Sequence, residues 1–186
     1  QMALPYKIYA ITDRDSELDE RPALARAFTW NVYHIENYLL QEEFIAKVLE
    51  DNPTYAKPLD GCSISEALKE CAKASRTQLV EHMMRSAINS QLTKSLDLGF
   101  DPTIGDLPAG FSEAMLRVSS RVQQLNDQTF NAESLRALHA SIEQELSQSL
   151  ESEAWRSTFR GRDILRRFAG QYLAGLPYEA FRDAIL

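Results

Sequence analysis

Asp13 and Asp15 stand two residues apart at the end of an apolar run, Tyr6-Lys7-Ile8-Tyr9-Ala10-Ile11, that leads through Thr12 into Asp13-Arg14-Asp15. In a strand, residues i and i+2 point to the same face at a spacing of roughly 6 to 7 Å, so the two carboxylates can aim at one point beyond the strand end. Two hard oxygen donors suit Mg2+ or Mn2+, which takes one or two carboxylates and otherwise keeps water or substrate phosphate in its shell. A second run, Thr29-Trp30-Asn31-Val32-Tyr33-His34-Ile35, ends in Glu36-Asn37-Tyr38. If it lies parallel beside the first, Glu36 emerges at the same carboxyl edge, where open α/β sheets place their ligands. Three acids at that edge fit metal-assisted phosphodiester cleavage. The plainer reading of Asp13 and Asp15 is that they end a strand and cap the following turn.

A second group of residues is basic. Arg156, Arg160, Arg162, Arg166 and Arg167 face only Asp163 between residues 155 and 168. A helix with such a face can grip nucleic-acid phosphates, and its start after Gly161 is a place for an anion. The alternative is a solvated helix face with an Asp163–Arg167 pair across one turn. Trp155 and Phe159 beside it read as core anchors. The two cysteines, Cys62 and Cys71, and the three histidines show no zinc spacing.

The elements that must carry these residues divide the chain unevenly. Residues 1–61 read as strand, crossover, strand, with a short helical turn at Pro22-Ala23-Leu24-Ala25 and a helix over Gln41 to Leu49. Residues 62–186 read as predominantly helical, because glycine and proline are absent from Cys62 to Leu98 and from Phe111 to Arg160. Ser63 with Glu66 forms a capping box for the first long helix, in which Leu79/Met83/Ala87 and Val80/Met84/Ile88 make two apolar stripes. Gly99, Pro102, Gly105, Pro108 and Gly110 mark a loop. Beyond it, Phe111, Met115, Val118, Val122 and Leu125, then Leu135, Leu138, Ile142, Leu146 and Leu150, predict two amphipathic helices. The fold class expected is α+β.

The 186 residues carry 27 acids and 20 bases, a formal charge of −7, with 44% hydrophobic residues. That is the composition of a folded globular chain, which excludes disordered, collagen-like and disulfide-scaffold classes. No apolar run approaches the roughly 18 residues of a membrane span, and no secretory pattern is present, so a cytoplasmic location without membrane partners is expected. The start at Gln1 reads as a cut from a longer chain.

Two stretches taken together, Ile8-Tyr9-Ala10-Ile11-Thr12-Asp13-Arg14-Asp15 and Val32-Tyr33-His34-Ile35-Glu36-Asn37-Tyr38-Leu39-Leu40, resemble the Toprim-type domain of the OLD (overcoming lysogenization defect) ATPase-nucleases and related phage-defence effectors. Arg160-Gly161-Arg162-Asp163-Ile164-Leu165 is similar to the glycine-basic helix start near the end of such domains, with arginine in place of the usual lysine. The resemblance implies a partial Toprim-like parallel sheet over residues 1–61, its first strand and a catalytic glutamate lying upstream, followed by the helical region 62–186 that returns to the sheet. It implies an antiviral, metal-dependent nuclease in which Asp13, Asp15 and Glu36 hold Mg2+ or Mn2+ and Arg162 stabilises charge on the phosphate, and which without the upstream strand would be inactive as this fragment alone. Nucleic acid, chiefly DNA, is then the substrate. The ATPase would be a separate domain or subunit, since no Gly-x-x-x-x-Gly-Lys-Ser/Thr occurs here, and a homo-oligomer is compatible. Two other classes stay open. One is a non-catalytic helical interaction or oligomerisation fragment. The other is a haloacid-dehalogenase-like phosphatase, which the strand-then-Asp-x-Asp start and Ile104-Gly105-Asp106 resemble.

Overall fold

The computed structural model describes residues 10–12, 27–29, 32–59, 61–96, 99 and 105–186. Asp13 and Asp15 lie outside these residues, as does the expected turn at Pro22 to Ala25. The strands described are β1 (Ala10–Thr12) and β2 (Ala27–Thr29), which pair in parallel with Ile11 opposite Phe28. Their β-branched and aromatic residues suit extended backbone. A 3-10 helix follows at Ile35–Leu39, then α1 (Glu42–Asp51), α2 (Ile64–Ser95), α3 (Leu107–Gln128), α4 (Ala132–Glu151), α5 (Trp155–Thr158), α6 (Gly161–Tyr172) and α7 (Tyr178–Ile185).

This architecture corrects the expected fold class. The described residues are overwhelmingly helical, and two strands of three residues with one isolated bridge do not make the partial Toprim-like sheet. The expected second strand fails for a local reason. The Asn37 side chain accepts from the His34 backbone N–H at 2.9 Å, while the Asn37 N–H bonds the His34 carbonyl at 2.9 Å. Those bonds take backbone groups that a ladder would need and turn the chain at residues 32–39, the competition that asparagine side chains offer to regular structure. Glu36 therefore sits on a 3-10 turn, not at a strand end.

The chain forms two compact units, one of Gln1–Leu79 with Glu145–Leu186, the other of Val80–Gln144. In the first, α6 buries Ile164, Leu165, Phe168 and Ala169 at helical spacing and leaves Arg162, Arg166 and Gly170 outward. Phe168 stacks on Phe181 of α7 at 5.8 Å between ring centroids. Trp155 and Phe159 are fully buried, as their apolar spacing predicts. The segment after α1 bonds to the end of α6 through Lys57 N–H to Tyr172 O (2.8 Å) and Ala174 N–H to Tyr55 O (2.7 Å).

The capping box at the start of α2 forms as expected, with the Ser63 N–H donating to Glu66 Oε2 at 2.8 Å and the Glu66 N–H donating to Ser63 Oγ at 3.2 Å. In the second unit α3 begins four residues before Phe111. Asp106 accepts from Ala109 N–H at 3.2 Å and Pro108 lies in the first turn, where its missing donor costs nothing. The buried line of α3 is Gly110, Ala114 and Val118, so Phe111 and Met115 face outward instead of inward. Asn131 joins α3 to α4: its amide donates to Asp127 O and Gln128 O, and its oxygen accepts from Glu133 N–H and Ser134 N–H.

Candidate functional site

Glu36 and Asn37 occupy the first turn of the 3-10 helix and are buried, at 6% and 3% exposure. Asn37 spends its whole side chain on four backbone groups. Its nitrogen donates to Arg156 O (2.7 Å) and Phe159 O (2.6 Å), and its oxygen accepts from His34 N–H (2.9 Å) and Gly161 N–H (3.1 Å). One amide thus fixes the 3-10 turn against the α5–α6 corner, more than 115 residues away in sequence. Gly161 is required by the same contact, because a Cβ there would lie 2.6 Å from Asn37 N and 2.7 Å from the Glu36 carbonyl carbon.

That close approach sets the chemistry beside it. Arg162, the next residue on α6, donates from Nε to Glu36 Oε1 at 2.9 Å, and its Nη2 lies 2.9 Å from the same oxygen. Burial alone would raise the Glu36 pKa, but its backbone hydrogen bond and the Arg162 guanidinium outweigh burial and hold it below the ordinary 4.5. Glu36 is therefore ionised near neutral pH, and its partner Arg162 is held even more firmly in the charged form. Both arginine bonds fall on Oε1, so Arg162 does not engage the second carboxylate oxygen.

The other arginines are placed in different ways. Arg156 is drawn inward: it donates to Leu40 O (2.5 Å), Ser65 Oγ (2.7 Å), Glu42 (3.1 Å) and Glu153 (3.1 Å), and it stacks over Trp155. Arg160 donates to His34 Nε2 at 3.2 Å and pairs with Asp163 at 3.6 Å. Arg167 reaches Gln78 at 3.2 Å, so the expected Asp163–Arg167 pair is replaced by Arg160–Asp163. Arg166 stays outward, 5.1 Å over the Tyr178 ring. Of the five basic residues, Arg162 and Arg166 are exposed and the other three half-buried, Arg156 as part of the framework.

Glu36 and Arg162, assigned to one site from separate motifs, are brought into direct contact. Asp13 and Asp15 fall outside the described residues, and among the described residues no three His, Cys, Asp or Glu gather in a metal-binding group. Glu36 alone fits Mg2+ or Mn2+ by chemistry, as an ionised hard donor with an oxygen that Arg162 leaves open. Sequence reasoning missed Asn37 as the clamp and Tyr178 as a neighbour; the Glu-Asn-Tyr run pointed at the first but not at its four partners. Asp106, the residue of the phosphatase-like Gly-Asp pair, serves as the cap of α3. No helix among the described residues is long and apolar enough to cross a membrane. Comparison with protein-family models, curated proteins and solved structures finds no match for this chain.

Proposed function

We propose that the chain is the divalent-metal-dependent, phosphodiester-hydrolysing part of a defence protein similar to the OLD nucleases, acting on nucleic acid and chiefly DNA. The observation that supports it is the meeting of the Glu36-Asn37 and Gly161-Arg162 segments, chosen from sequence as parts of one motif set, in an ion pair and a four-bond amide clamp. In this reading Asp13 and Asp15 hold Mg2+ or Mn2+, with Glu36 as a further oxygen donor or water-orienting group. The bound ion supplies Lewis-acid polarisation of the phosphate and a lowered pKa for an attacking water. Arg162, oriented by Glu36 and permanently charged, faces the negative charge that grows on the phosphate oxygens. Asn37 keeps both segments in register. An ATPase domain or subunit of the same system controls access, and the protein is cytoplasmic.

The test is cleavage of plasmid DNA with Mg2+ or Mn2+ by the protein extended upstream of Gln1. Nicking should require the metal, vanish in Asp13→Ala and fall by about 100-fold in Arg162→Ala, the scale for removing one charge-stabilising donor. Cleavage that persists unchanged in Asp13→Ala overturns the reading. Hydrolysis of small phosphate monoesters with a phosphorylated Asp13 would replace it with the phosphatase class.

One observation favours a second reading, a helical interaction surface. On α3, Leu107, Met115 and Leu116 are 51%, 52% and 70% exposed, an apolar group of the kind that marks association sites. On that non-catalytic reading Met115→Lys with Leu116→Lys should abolish a concentration-dependent dimer in sedimentation while Asp13→Ala leaves it unchanged; a sedimentation profile of the double variant identical to wild type at all concentrations removes this reading.

A further inference from the structure

Tyr178 opens α7, and its ring is flanked by two guanidinium groups, Arg166 of α6 at 5.1 Å and Arg182 of α7 at 6.0 Å. Its hydroxyl oxygen is buried, yet it has no hydrogen-bond partner among the described residues. Buried hydroxyls are nearly always paired, so an orphan in a polar cluster calls for a group the protein itself does not supply. The surroundings say what kind. Arg162 stands one helical turn from Arg166 on the outward face of α6, which sets the Glu36–Arg162 pair beside Arg166. Arg162 is balanced by Glu36, Arg182 by Asp183 (2.6 Å), and Arg160 by Asp163. Arg166 has no carboxylate partner among the described residues. The phenol also stays protonated: burial first, then the Glu36 charge, push it up, against the opposing arginines. It is therefore a donor.

We infer that the Tyr178 hydroxyl, with Arg166 and Arg182, forms a phosphate-oxygen site beside the Glu36–Arg162 pair. The inference rests on the phosphodiester reading and deepens it, naming the groups that hold a phosphate of the nucleic-acid strand next to Arg162. Two guanidinium groups against the ring and one hydroxyl supply the kind of donors that phosphate oxygens accept. The site lies at the α6–α7 contact, where Phe168 stacks on Phe181.

Calorimetric titration of a short 5′-phosphorylated single-stranded DNA into the full chain, in metal-free buffer with chelator, tests it. Tyr178→Phe should weaken binding about tenfold, the scale of one hydrogen bond to a charged group. Arg166→Ala should weaken it similarly and reduce the slope of log affinity against log salt by about one. Because Tyr178→Phe removes an unpaired buried hydroxyl, its urea midpoint should equal or exceed that of wild type, which separates lost binding from lost structure. Two arms identify the phosphate. Competition by inorganic phosphate assigns the site to the terminal monoester, and equal binding of the unphosphorylated strand assigns it to the internal diester. Unchanged affinity in Tyr178→Phe and Arg166→Ala, or no binding of any of these probes to wild type, overturns the inference. Asp13→Ala should keep this metal-free binding while losing cleavage, so intact cleavage with an indifferent Tyr178→Phe sinks this inference alone.

Discussion

Replacing Gly161 by alanine asks whether the contact between α6 and the 3-10 turn is as tight as the site requires. The new methyl would stand 2.6 Å from Asn37 N, 2.7 Å from Glu36 C and 2.8 Å from Asn37 Cα, against the 3.4 Å at which ordinary contact begins, an overlap of about 0.8 Å. All three are backbone atoms and cannot rotate away. Moving them strains the four Asn37 bonds and the Glu36–Arg162 pair. Overpacking costs about 1–3 kcal/mol and each weakened hydrogen bond about 1 kcal/mol, while alanine gains about 0.5–1 kcal/mol over glycine in a helix. The net loss is about 2–4 kcal/mol, and at about 2–4 °C per kcal/mol for a chain of this size the melting temperature falls by roughly 4–16 °C. Gly170 supplies the control, because it lies on the same helix with nothing within 4 Å of the position its Cβ would take. Gly170→Ala should stabilise by about 0.5–1 kcal/mol. Urea and thermal unfolding followed by circular dichroism read both. A Gly161→Ala protein as stable as Gly170→Ala would refute the close approach and the clamp built on it.

The remaining predictions concern the same unit. Asn37→Ala leaves two buried carbonyls and two N–H groups without their partner and should cost about 3 kcal/mol or more in urea unfolding, and Asn37→Asp should not restore it, because a carboxylate cannot donate to Arg156 O and Phe159 O. Glu36 has a folded pKa below its unfolded 4.5, so its contribution to stability is complete above that value and is lost as pH falls through the lowered one. The urea midpoint of wild type should therefore drop more steeply below pH 4.5 than that of Glu36→Gln, and parallel profiles would contradict the pair. Burial pushes the Cys71 thiol up to about 11, and Cys62 is exposed, so a thiol reagent at pH 8 should modify Cys62 quickly and Cys71 only in denaturant.

What could be read from the sequence was what depends on neighbours in the chain. The Ser63/Glu66 box, the helix start at Gly161 and the inward Ile142, Leu146 and Leu150 of α4 are local patterns, and each is found where its spacing puts it. The start of α3 was hidden because Pro108 and Gly110 read as loop residues, although Asp106 capping a first-turn proline was a signal for helix. The extended look of residues 32–35 was overridden by the Asn37 side chain, whose partners at Arg156, Phe159 and Gly161 lie across the sequence. Arg156 shows the same limit at the site: its charge suggested phosphate binding, while Leu40, Glu42 and Ser65, all more than 90 residues away, take its guanidinium into the framework. Glu36 and Arg162 were legible as a pair only through motif resemblance, since nothing in composition or periodicity joins positions so far apart.

The claim at the centre is that Asp13 and Asp15 hold the divalent ion that drives phosphodiester cleavage. Calorimetric titration of Mn2+ into wild type, Asp13→Ala and Asp15→Ala measures it directly. The account predicts a saturable site in wild type that is lost or weakened at least tenfold in each variant, with unfolding midpoints unchanged; identical isotherms in all three proteins would contradict it.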